Sequence, residues 1–153
     1  MILVRPATPD EDDAQLLLGE LSGALEKITG STGAASFDRA DVEVEGGLFL
    51  LAYVDERPAG CGAFRRLQPG VAEIKRMYAR PGTHGVGRAL LERLEKEARR
   101  VGYLEVWLET RAVNERAVRF YERHGYGPID NFGKYVGRDE AVCFAKRLGS
   151  TLV

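Results

Sequence analysis

The stretch from Glu73 to Leu94 constrains this chain more than any other. Glu73-Ile74-Lys75-Arg76-Met77-Tyr78 reads as a strand, and Ala79-Arg80-Pro81-Gly82-Thr83-His84-Gly85-Val86-Gly87-Arg88 follows as a glycine-rich turn. An amphipathic helix pattern starts at once. A glycine turn between a strand and a helix start is a ready-made anion site. Its N–H groups point outward, the helix dipole adds partial positive charge, and glycine lets a phosphate approach closely.

The known phosphate loops narrow the choice. An NTPase loop needs Lys-Ser or Lys-Thr after its last glycine, and Arg88-Ala89 stands there. A dinucleotide fingerprint needs Gly-x-Gly-x-x-Gly in a first strand–helix unit, with an acid about 20 residues on. Here Gly85-x-Gly87 is followed by Leu90, and the loop lies mid-chain after several strand candidates.

Around this unit the pattern alternates. Ile2 to Arg5 reads as a strand. Thr8-Pro9-Asp10-Glu11 reads as a helix start, with Thr8 as cap. Ala14, Leu17, Leu18, Leu21, Leu25 and Ile28 share one helical face. Gly30 to Ser36 reads as a flexible loop, and a short helix fits between Phe37 and Glu45. Gly47 to Val54, Ala59 to Leu67 and Val71 to Tyr78 read as successive strands joined by turns. Val86 to Val101 is a helix with the stripe Leu90, Leu91, Leu94, Ala98 and Val101. Leu104 to Leu108 is a strand and Asn114 to His124 a helix. Tyr126 to Ile129 and Ala141 to Leu148 are terminal strands, with a loop from Lys134 to Asp139 between them. This order predicts a single α/β domain over 1–153, a mostly antiparallel mixed sheet of about seven strands with helices on both faces.

Composition excludes whole classes. With 153 residues, 44% hydrophobic and 29% charged, the chain can bury a core. A net charge of −1 gives no broad electrostatic footprint for nucleic acid. No apolar run reaches the ~20 residues of a membrane span, and the start lacks the pattern of a signal peptide. Cys61 and Cys143 read as buried, reduced thiols of a cytoplasmic protein. His84 and His124 are the only histidines and share no metal-ligand spacing with a cysteine, so no metal site is expected.

Three pieces together resemble the GNAT superfamily of N-acetyltransferases. They are Glu73 to Tyr78, the run Gly85-Val86-Gly87-Arg88-Ala89-Leu90-Leu91, and Asn114-x-x-Ala117-x-x-Phe120-Tyr121-x-x-x-Gly125-Tyr126. The resemblance implies an acetyl-CoA-dependent N-acetyltransferase that acetylates a primary amine of a small molecule or peptide in a ternary complex, without a metal. By resemblance, Met77, Tyr78 and Ala79 line the notch for the pantetheine arm. The amides of His84, Gly85, Val86, Gly87, Arg88, Ala89 and Leu90 hold the pyrophosphate, and Asn114 touches the pantetheine or caps its helix. Tyr121 is the candidate acid for the leaving thiolate or a packed aromatic beside Phe120, Glu73 the candidate base or a surface carboxylate paired with Lys75 or Arg76, and the Met77 amide by resemblance the oxyanion donor. The family loop begins with Gln or Arg three residues before its first motif glycine. Gly82 stands there, with Arg80 and Arg88 nearby.

The acceptor pocket is expected from Ile28 to Phe37, from Phe64-Arg65-Arg66 and from Asn131 to Arg138, with Arg65 and Arg66 either binding a substrate carboxylate or serving as strand-edge charges. Pairing of two copies is a further implication of the family. The rival readings are a non-catalytic acyl-CoA-binding module and a nucleotide-binding protein that uses the same loop.

Overall fold

The computed structural model describes residues 1–34 and 37–149; of the expected loop at Gly30 to Ser36, Ala35 and Ser36 lie outside them. β1 (Ile2–Pro6) leads into α1 (Asp12–Thr29) and a short α2 (Ala40–Glu43). A meander follows: β2 (Leu48–Val54), β3 (Arg57–Gln68) and β4 (Val71–Ala79). Then come α3 (Val86–Arg100), β5 (Glu105–Arg111), α4 (Glu115–Arg123), β6 (Gly127–Ile129) and β7 (Ala141–Arg147). The strands make one seven-stranded sheet in the order β1-β2-β3-β4-β5-β7-β6. Among the described residues the β4–β5 pair alone is parallel. This is the mixed sheet that the residue pattern predicts.

Each face is covered by the helix whose stripe fits it. Leu90, Leu91, Leu94 and Ala98 of α3 pack with Leu50, Ile74, Val106 and Phe144. Ala14 and Leu17 of α1 pack with Phe49, Leu51, Cys61 and Ala63 on the opposite face. Farther along α1, Leu25 faces a cleft and Ile28 is 48% exposed. Cys61 and Cys143 are buried free thiols. Among the described residues no helix is long and apolar enough to cross a membrane.

Two boundaries differ from expectation. The α1 helix starts at Asp12, not near Thr8. The Glu11 carboxylate turns back to accept from the Thr8 amide at 2.9 Å and from Arg5 Nη2 at 2.7 Å, which makes Thr8–Glu11 a turn ahead of the helix. The expected loop after Lys134 is instead partly wound: a 3-10 turn at Gly133–Tyr135 presses the Tyr135 ring inward.

The feature that creates the site is a β-bulge in β4. Cys61 pairs with Tyr78 but Ala63 pairs with Lys75, so Arg76 and Met77 together oppose Gly62. Arg76 takes φ 56° to make the extra step. A bulge reverses side-chain parity along its strand. Glu73, Lys75, Arg76 and Tyr78 therefore face α1, whereas Ile74 and Met77 face α3. Glycines on β3 permit this: a Cβ at Gly62 would stand 2.5 Å from Met77 Sδ, and one at Gly60 2.5 Å from Tyr78 O. Beyond the bulge β4 leaves β5. Their parallel pairing runs only from Val71↔Glu105 to Glu73↔Trp107.

Candidate active site

The splay between β4 and β5 is a cleft of about 420 Å³ that reaches from α1 on one face to α4 on the other. On the α4 wall stands Tyr121, 7% exposed, held edge-on by Phe120 at 5.1 Å and Tyr126 at 5.6 Å. Burial pushes its phenol pKa upward. At neutral pH the group is therefore an O–H donor. Asn114, also on this wall, accepts from Ala117 N at 3.3 Å as the cap of α4. Its Oδ1 is spent on the cap, and its side-chain amide Nδ2 is still a donor.

The glycine loop ends at the N-terminus of α3. Gly85 is the N-cap with φ 77°. The amide of Ala89 donates to Gly85 O at 3.0 Å, the first bond of the helix. The amides from Gly85 to Arg88 precede that bond and lack intrahelical acceptors. The Ala89 amide, and that of Leu90 one step deeper, are engaged inside the helix, unlike those before them. The side chains near the loop are committed elsewhere: Arg88 Nε is 2.9 Å from Glu92, and Arg80 Nη2 is 2.7 Å from Glu20. His84 is exposed.

Met77 lines the cleft, whereas the Tyr78 and Ala79 side chains do not. The Tyr78 hydroxyl donates to Glu20 Oε1 at 3.0 Å under α1. What these residues offer the notch is backbone, since the β5-facing side of β4 is unpaired there.

The expected base meets a different environment. Glu73 is 1% exposed, not a surface carboxylate. Its Oε1 is 2.7 Å from Arg65 Nη2, and its Oε2 accepts from the Tyr135 hydroxyl at 3.2 Å, with Lys75 Nζ at 3.4 Å. Both oxygens are occupied by donors that lock β3 and the 133–135 turn onto β4. Arg65 is thus ion-paired on an interior strand, and Phe64, Arg65 and Arg66 do not line the cleft.

A second carboxylate has the features a base needs. Glu109, on β5 across the splay, lines the cleft. Its Oε2 is buried, accepts no hydrogen bond among the described residues, and lies 3.6 Å from Arg111 Nε. Burial raises its pKa, helped by Glu73 and Glu140 and opposed by Arg111 and Lys75. No sequence motif singles it out. The available signal was its alternation with Trp107 in Trp107-Leu108-Glu109, which puts an acid on an inward-facing register. Among the described residues no group of three or more His, Cys, Asp or Glu could hold a metal ion.

Comparison with known proteins agrees with this fold. Residues 20–126 match the model of the acetyltransferase (GNAT) family. The chain is 35% identical over 102 residues to an IAA acetyltransferase of Azospirillum brasilense, covering 65% of this chain and 66%, just under two thirds, of that protein. Its fold is similar to a Klebsiella pneumoniae protein assigned as an acyl-CoA N-acyltransferase (TM-score 0.82, 24% identity, 97% of this chain and 99% of that one). It is also similar to the PaiA N-acetyltransferase of Thermoplasma acidophilum in complex with coenzyme A (TM-score 0.72, 20% identity, 96% and 99%).

Proposed function

The chain belongs to the acetyltransferase (GNAT) family, and from that premise we propose that it transfers an acetyl group from acetyl-CoA directly to a primary amine. The observation that carries this is one cleft with a protonated phenol, Tyr121, on one wall and, on another, a carboxylate, Glu109, whose buried Oε2 accepts no hydrogen bond among the described residues. The donor supplies an already activated thioester, so the protein has to orient two reactants and move protons.

The amides from Gly85 to Arg88 suit a pyrophosphate, and the unpaired backbone of β4 suits an extended pantetheine arm, which adds to a sheet edge through main-chain bonds. The Met77 amide, set off the ladder by the bulge, suits the charge that builds on the carbonyl oxygen. Glu109 takes a proton from the amine nitrogen as the C–N bond forms. Tyr121 donates to the sulfur as the C–S bond breaks. One amide and one free thiol result. The base role expected of Glu73 passes to Glu109, and Glu73 fixes the wall through Arg65 and Tyr135.

The test is release of free thiol from acetyl-CoA across an amine panel by wild type, Glu109→Gln and Tyr121→Phe. Turnover that falls ~100-fold in each variant supports the assignment. Tight acetyl-CoA binding with no thiol release for any amine would favour the non-catalytic acyl-CoA-binding module.

A further inference from the structure

The α1 side of the cleft holds a charge imbalance that acetyl transfer itself does not need. Lys75, Arg76, Arg111, Lys134 and Arg138 line the cleft against two acids, Glu73 and Glu109. Lys75 is 3.4 Å from Glu73, and Arg111 is 3.6 Å from Glu109 and 3.3 Å from Glu140. Arg76, Lys134 and Arg138 have no carboxylate partner among the described residues. The whole chain carries a net charge of −1, so the excess in this pocket does not follow from overall composition.

Arg76 is the most informative of the three. The bulge turns it under α1, where it donates to Ser22 Oγ at 2.7 Å, Thr32 O at 3.2 Å and Leu18 O at 3.4 Å. All of these acceptors are neutral, and its Nε is buried without one. A cation taken out of water without a counter-ion is costly, and a bound anion removes that cost. Lys134 and Arg138 stand on the other rim. Asn131 fixes their connection by donating to Tyr135 O at 3.1 Å and Arg138 O at 3.0 Å. Asp130 and Asp139 belong to the same connection but do not line the cleft.

We propose that the acceptor is a small primary amine that carries a carboxylate, with the carboxylate among Arg76, Lys134 and Arg138 and the amine directed at Glu109. This rests on the transferase reading above and adds the substrate class. A polyamine would bring a second positive charge against these three cations, and an uncharged amine would leave them uncompensated.

Calorimetry with two bisubstrate conjugates decides the matter without needing turnover. In both, the CoA sulfur is joined through a –CH2–C(=O)– bridge to the nitrogen of glycine. One conjugate ends in the free carboxylate and the other in its carboxamide. The expected result is binding of the carboxylate form about tenfold tighter or more to wild type. That gap should shrink to about twofold or less in a Lys134→Ala/Arg138→Ala variant whose melting temperature shows it folded. Equal binding of the two conjugates to wild type, or preference for the carboxamide, overturns the proposal. A gap that the double variant leaves intact overturns the assignment to this rim. Acetyl-CoA titrated in parallel separates the two levels: if it also fails to bind, the transferase reading itself has failed.

Discussion

At the scale of single residues the account turns on which carboxylate is free to accept a proton. Glu73 fits a familiar strand position, yet its oxygens are held by Arg65, Tyr135 and Lys75. The Oε2 of Glu109 accepts no hydrogen bond among the described residues. That Tyr121 and Asn114 stand on one wall of the cleft was legible, because both belong to one helix motif. The state of Glu73 was not legible, because its partners come from residues 65 and 135, distant along the chain. Because burial raises the Glu109 pKa, activity should fall on the acid side at a pH above that of an ordinary glutamate, and Glu109→Gln should abolish that limb along with most of the turnover. A pH profile of kcat/KM checks this. The same shift has a stability consequence. The folded state binds the Glu109 proton more tightly than the unfolded state, so this group's contribution worsens as pH rises from its unfolded toward its folded pKa. Glu109→Gln should therefore melt higher than wild type at neutral pH, in a thermal scan, while turning over more slowly. Tyr121→Phe keeps the ring packing and should leave melting nearly unchanged.

At the scale of elements, the helices and the glycine turn were readable from periodicity. The stripe of α3 is buried from Leu90 to Ala98, whereas Val101, expected in it, is the C-cap and 56% exposed, and Gly85 adopts the left-handed conformation that glycine favours. The bulge was not readable. The extra residue is Arg76, with φ 56° and no glycine to mark it. Its sign lies on the neighbouring strand, where Gly60 and Gly62 leave room for β4. Gly60→Ala would drive a Cβ onto a backbone carbonyl that has nowhere to move, and should destabilise by about 2 kcal/mol or more in denaturant titration. Gly85→Ala should cost about 1–2 kcal/mol for the left-handed backbone. It should also weaken acetyl-CoA binding roughly tenfold, because the amides from Gly85 to Arg88 would no longer converge.

At the scale of the whole molecule, the alternation of strands and helices was enough to predict a mixed sheet covered on both faces. The strand order was not deducible from it. That β7 inserts between β5 and β6 depends on long-range pairing, such as Glu109↔Cys143 and Pro128↔Phe144. This insertion also brings the Lys134–Arg138 rim to the cleft. Because the proposed donor site spans β4, α3 and α4, ligand binding should stabilise the fold as a unit. Acetyl-CoA at one hundred times its Kd should add about 2.7 kcal/mol, visible as a raised melting temperature. The measurement that tests the central claim most directly is calorimetric titration of the chain with acetyl-CoA, with ATP and NAD as comparators. The account predicts a single site with Kd on the order of micromolar, about −8 kcal/mol, and no heat from ATP or NAD. Absence of acetyl-CoA binding, or tighter binding of either nucleotide, would contradict it.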